Sequence, residues 1–148
     1  MDDRTRGMYF SLFNEIGIIG QLSRALFEAR LPAGLLTAHF SVVNHLVRLG
    51  DGKTPLDLAR AFQVPKTTMT HSLSILEKHG YIRIAKNPAD GRSKCVYLTE
   101  DGRAFREDAI RALGPDLAAM AGQIDVEQVK LLLPHLEAIR MYLDENRP

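Results

Sequence analysis

A single cysteine, Cys95, in 148 residues excludes an internal disulfide framework and a four-cysteine zinc site, and it fits a reducing compartment. Long apolar runs are missing too: nowhere do about eighteen apolar residues follow one another, the length a membrane-spanning helix needs. The opening segment, MDDRTRGMYF, lacks the basic-then-apolar order of a secretion signal, so the expected location is the cytoplasm, with no membrane partner. There is no Gly-rich phosphate loop, no nucleophile elbow and no paired-carboxylate pattern. The histidines His39, His45, His71, His79 and His135 form no metal-ligand set with acids or thiols. These absences point away from an enzyme, a metal site and a cofactor.

Net charge is also scarce, +1 overall, but it is unevenly spread. Between Arg60 and Leu98, seven cations (Arg60, Lys66, Lys78, Arg83, Lys86, Arg92, Lys94) meet two acids, Glu77 and Asp90. That segment carries +5 and leaves the remainder at −4. A surface of this kind displaces counterions from phosphate, whereas the rest of the chain repels it. The plain alternative is a charged face turned to solvent.

With 45% hydrophobic and 25% charged residues, the chain is long enough to bury a core and fits one modest domain. From Met8 to Ala29 the apolar residues Tyr9, Phe13, Ile16, Ile19, Leu22 and Leu26 recur at three- and four-residue steps, the period of an amphipathic helix. Leu31, Pro32 and Gly34 end it, and Thr37 is the expected cap of a second helix, TAHFSVVNHLVRL, stopped by Gly50. A third helix, TPLDLARAF, opens with Thr54 as cap, Pro55 at the first helical position and Asp57 placed to return a hydrogen bond. Only a tight turn separates Phe62 from Pro65, where a fourth helix starts and runs to Gly80, as in a helix-turn-helix.

YIRIAK and KCVYL then alternate in side-chain type like half-buried strands, joined by NPADGRS with its Asp-Gly turn signal. Thr99 caps a helix expected from Glu100 through Met120, bent near Gly114 and Pro115. Asp125 and Gln128 form a capping-box start for the last helix, which Pro134 should kink. The order of elements implies a mainly α (α+β) winged helix-turn-helix flanked by long helices. The expected division is residues 1–34 and 100–148 for dimerisation and 35–99 for a DNA-binding lobe, intertwined as one domain.

On the fourth helix, Met69, Leu73 and Leu76 fall on one side, while Lys66, Thr67, Thr70, His71, Ser74 and Lys78 fall on another. Short hydroxyls and a few cations, with Thr68 beside them, suit close approach to base edges and phosphates in a major groove. A merely solvated helix would more often use Glu and Lys. In the hairpin, Lys86, Arg92 and Lys94 flank a tip narrowed by Gly91, a shape that suits the minor groove. Asp90 is expected to hold loop amides and so present Arg92. It is equally open to a reading as turn chemistry alone.

The stretch TPLDLARAFQVPKTTMTHSLSILEKHGYIRIAKNPADGRSKCVYLTEDG resembles the DNA-binding core of the MarR/SlyA family of bacterial transcriptional regulators. The resemblance implies a repressor that binds double-stranded DNA at a pseudopalindromic operator as a homodimer, its reading helices about 34 Å apart. It also implies a small aromatic effector held in a crevice between the dimer helices and the winged lobe. Phe10, Phe13, His39, Phe40 and His45 are candidates to line it, with ordinary core packing as the competing reading. Two positions depart from the family pattern: Pro65 replaces a common serine, and His71 a common arginine, leaving a shorter and mostly neutral group. Cys95, without a second cysteine, reads as a small apolar filler. The functional competitor is a winged helix used for protein contact without DNA.

Overall fold

The computed structural model describes all 148 residues, which pack as two compact units, Met1–Ala112 and Leu113–Pro148. Helix α1 spans Asp3–Glu28 and begins earlier than the apolar period suggests, because the Asp2 carboxylate accepts the Thr5 amide at 2.7 Å and caps it. No residue of α1 is buried; Tyr9, Phe10, Phe13, Ile19 and Leu22 all stand exposed.

Helix α2 covers Thr37–Leu49, and here the expected cap is wrong. Thr37 is the first helical residue, and its Oγ1 is buried without a hydrogen-bond partner. The amides of the first turn are satisfied from elsewhere: Leu36 N donates to His39 Nδ1 at 2.8 Å and Thr37 N to Glu28 Oε1 at 3.0 Å. Buried His39 thus replaces a hydroxyl cap with a ring nitrogen, and α1 reaches across to complete α2.

Helix α3, Pro55–Phe62, starts as its sequence dictates. Thr54 Oγ1 accepts the Asp57 amide at 3.1 Å, and Asp57 Oδ2 accepts the Thr54 amide at 3.2 Å. Gln63 turns the chain in a left-handed conformation at φ 52°, a rare posture for a residue with a side chain. Helix α4, Lys66–Lys78, follows with Pro65 in the capping position just outside it, not inside as expected. Gly80, at φ 73°, ends the turn that leaves α4.

Strands β1, Ile82–Lys86, and β2, Lys94–Leu98, pair antiparallel from Ile82↔Leu98 to Lys86↔Lys94. Lys53 adds a bridge to the outer edge of β2, with Val96 N donating to Lys53 O at 2.8 Å and Gly52 N to Val96 O at 2.8 Å. Helix α5, Glu100–Ala112, is capped by Thr99, whose Oγ1 accepts the Gly102 amide at 3.0 Å and donates to Gly80 O at 2.6 Å.

The helix expected to run bent from Glu100 to Met120 is two helices. α5 stops at Ala112, and α6, Gly114–Ala121, starts anew with Pro115 in its first turn, where the missing amide is harmless. Helix α7, Val126–Glu145, carries the expected Asp125–Gln128 box and contains Pro134. Neither α6 nor α7 has a buried residue; Leu131, Leu132 and Leu133 are exposed.

The core lies within the first unit. Val42, Val43 and Leu46 of α2 meet Leu58 of α3, Met69, Leu73 and Leu76 of α4, Ile82 and Val96 of the hairpin, and Phe105 and Ala109 of α5. Through Phe105 and Ala109, α5 joins the core of the first unit, which runs from Met1 to Ala112. An aromatic chain runs through this core: Phe27 against Phe40 at 4.4 Å, Phe40 near Phe105 at 6.3 Å, and Phe105 stacked on Tyr81 at 4.4 Å.

Candidate nucleic-acid interface

Burying Met69, Leu73 and Leu76 fixes the roll of α4 about its axis, and that roll decides what faces outward. Lys66, Thr67, Thr70, His71 and Ser74 together line a shallow hollow along the exposed side. Thr70 and Ser74 also border the adjoining groove, where α4 meets the hairpin and Lys94, Glu77, Ile84 and Pro55 complete the lining. Reading helix and wing therefore share one continuous surface. Thr70 Oγ1 donates to Lys66 O at 2.9 Å, so its proton is already engaged and the oxygen is left as an acceptor.

Thr68 departs from this set. It lies one flank over, with Ser72 and Met69, on a different crevice, because a step of one residue turns about 100° around a helix. Arg83, one of the segment's seven cations, stacks within the wing: its guanidinium lies 4.7 Å from the ring centre of Tyr97, its cross-strand partner.

The wing loop is ordered by its own polar groups. Asp90 Oδ1 accepts the Arg92 amide at 2.9 Å, and Asn87 Oδ1 accepts the Ala89 amide at 3.0 Å. Asn87 Nδ2 donates to Ser93 Oγ at 2.9 Å, closing the loop across its neck. Arg92 is exposed at the tip. Gly91 does not adopt a positive φ, so the tip is a longer loop and not the two-residue glycine turn that Asp-Gly suggests. Cys95 is free and buried across from Ala85, on the face of the wing opposite the one that Val96 and Ile84 turn to the core.

The crevice that holds Thr68 has a volume of about 440 Å³ and is walled by α1, α2, the end of α3 and the inner flank of α4. Arg24, Glu28, Thr37, Ser41 and Phe62 contribute to it, and none of the five candidate lining residues does. Phe10 and Phe13 are exposed, His39 and Phe40 pack in or against the core, and His45 rests on Phe62 at 5.3 Å. Burial lowers the His39 and His45 pKa values. Arg24 and Glu28 were not legible as crevice residues, because the α1–α2 approach that places them is a tertiary event. The same holds for Asp51, whose Oδ2 accepts the Leu98 amide at 2.9 Å.

Three-helix core, reading helix and cationic hairpin define a winged helix-turn-helix protein. A model of the MarR family matches residues 33–93. The Multiple antibiotic resistance protein MarR of Salmonella typhimurium is 32% identical over 114 residues, covering 72% of this chain and 78% of that protein. The solved structure of apo MarR from E. coli matches with a TM-score of 0.74 at 26% identity, over 86% of this chain and 95% of that one. A cysteine-to-serine mutant of E. coli MarR complexed with operator DNA matches with a TM-score of 0.70 at 25% identity, over 89% and 95%. The chain belongs to the MarR family of DNA-binding transcriptional regulators. No helix is long and apolar enough to cross a membrane.

Proposed function

We propose that the chain binds a pseudopalindromic operator as a homodimer, with α4 in the major groove and the wing on the adjacent minor groove, and represses transcription there. The observation that carries this reading is the shared surface. Thr70 and Ser74 border both the hollow with Lys66, Thr67 and His71 and the groove with Lys94, so one approach of the duplex meets helix and wing together. Lys86 and Arg92 extend the cationic face along the hairpin, and the operator complex of the E. coli relative supports the same use. A second copy of the chain gives the exposed apolar residues of α1 and of α7 a covering partner.

The crevice beside Thr68 is the proposed effector site. Arg24 offers a cation there and Thr37 Oγ1 an unpartnered hydroxyl, which suits a small aromatic acid. Binding of a duplex selected by the protein from a random pool, followed by fluorescence anisotropy across a salt series, tests the DNA reading. Affinity should fall steeply with salt, and Lys66→Ala and Arg92→Ala should each weaken it. Parent-like binding by both variants, or no salt dependence, would favour a protein-contact role. Benzoate should release the duplex from the parent and not from Arg24→Ala.

A further inference from the structure

The cationic segment from Arg60 to Leu98 contains two acids, Glu77 and Asp90, and each accepts a backbone amide of the wing. Asp90 orders the tip. Glu77 does something different: from the last turn of α4, its Oε1 accepts the Ile84 amide of β1 at 3.2 Å. We propose that Glu77 is a positioning residue that fixes the wing's angle against the reading helix, so that both engage one duplex at once; this rests on the DNA-binding reading above.

The sheet geometry explains why Ile84 needs this partner. Val96 and Leu98 send their amides away from β1, to Lys53 O and to Asp51 Oδ2. Their cross-strand partners are Ile84 and Ile82, so these are the rungs whose amides point outward. The Ile84 amide therefore lies on the open edge of β1, where only the α4 side can supply an acceptor. With Glu77 on one edge and Asp51 on the other, two carboxylates clamp a two-stranded hairpin that is otherwise marginal on its own. Glu77 also lines the groove with Thr70, Ser74 and Lys94, where a carboxylate opposes phosphate. An acid there weakens direct contact, so its use lies in the hydrogen bond it accepts from the Ile84 amide.

The test is a double-mutant cycle between Glu77→Ala and Arg92→Ala, read on a duplex of about three helical turns that the parent selects from a random pool. Glu77→Ala should bind about ten-fold more weakly, and its salt slope should fall by about one to two as wing cations leave the phosphates. In that background Arg92→Ala should add little, although it weakens the parent. Protection of guanine N7 in the major groove should persist, and Glu77→Gln, which keeps an acceptor oxygen, should restore most of the loss. An unchanged Arg92→Ala effect in the Glu77→Ala background would overturn the positioning role while leaving the DNA reading intact. A parent that selects no duplex sinks the DNA reading, and the proposal with it.

Discussion

Lys86 and Lys94 stand directly opposite one another on the last rung of the hairpin, both exposed. Two like charges at that spacing oppose pairing of the strands, by up to about 1 kcal/mol. Their placement makes sense against an anion that lies across both.

Lys86→Ala and Lys94→Ala should therefore separate stability from binding. Each variant should unfold in urea at or slightly above the parent midpoint, by a few tenths of a kcal/mol, because repulsion is relieved. Each should also bind duplex more weakly, with a salt slope lower by about one. Weaker binding accompanied by lost stability would point instead to a structural role for the lysine.

At Gly102 the constraint is space. A Cβ there would lie 2.1 Å from Tyr81 O and 2.8 Å from Leu98 Cδ1, so α5 must shift away from the base of the wing. Gly102→Ala should destabilise the protein by about 1–3 kcal/mol, as overpacking does, despite alanine's better helix propensity. Urea unfolding with an unchanged m-value checks it.

Acid should loosen the start of α2. The His39 pKa is lowered first by burial and then by the nearby charges of His71 and His79, while Glu28 acts in the opposite direction. The unfolded chain thus binds a proton at His39 more readily than the folded one. Stability is complete above about pH 6.5 and declines as the pH falls below it. Protonation also puts a hydrogen on Nδ1, where the Leu36 amide now donates. His45 shifts in the same direction. His39→Gln should be less stable at neutral pH, with a shallower decline of thermal midpoint between about pH 7 and 5; a decline as steep as the parent's would refute the assignment.

The capping box at Thr54 supplies a second pH window. Hydrogen bonds from the Thr54 side chain and backbone hold the Asp57 carboxyl below its usual range. Its contribution is complete above about pH 4 and is lost as the pH falls through the lowered value. Thr54→Ala should remove about 1 kcal/mol at neutral pH. It should also flatten the acid limb, which a denaturant series at pH 5 and 3 would resolve.

Much of the reading helix was legible because α4 follows a local rule: a buried face at Met69, Leu73 and Leu76 determines where Lys66, Thr70, His71 and Ser74 point. The hairpin was legible for the same reason, as alternation marks its two faces. Thr68 lies on another flank from Lys66, Thr67 and Thr70, because adjacency in sequence is not adjacency on a helix. The break at Leu113 was softened into a bend because a proline at a first turn and a proline within a helix give the same local signal. His39 caps α2 locally, three residues after Leu36, with a ring nitrogen where a carboxylate is usual, whereas the crevice was hidden because Glu28 and Arg24 act through approach of α1 to α2. No spacing rule encodes an approach of that kind.

Cys95 gives the wing a clock. Its thiol is buried across from Ala85, on the face of the hairpin turned away from the core residues Ile84 and Val96, so a thiol reagent reaches it only through local opening of the wing itself. The rate of labelling then counts those excursions directly, and a duplex clamped across the hairpin should slow the count.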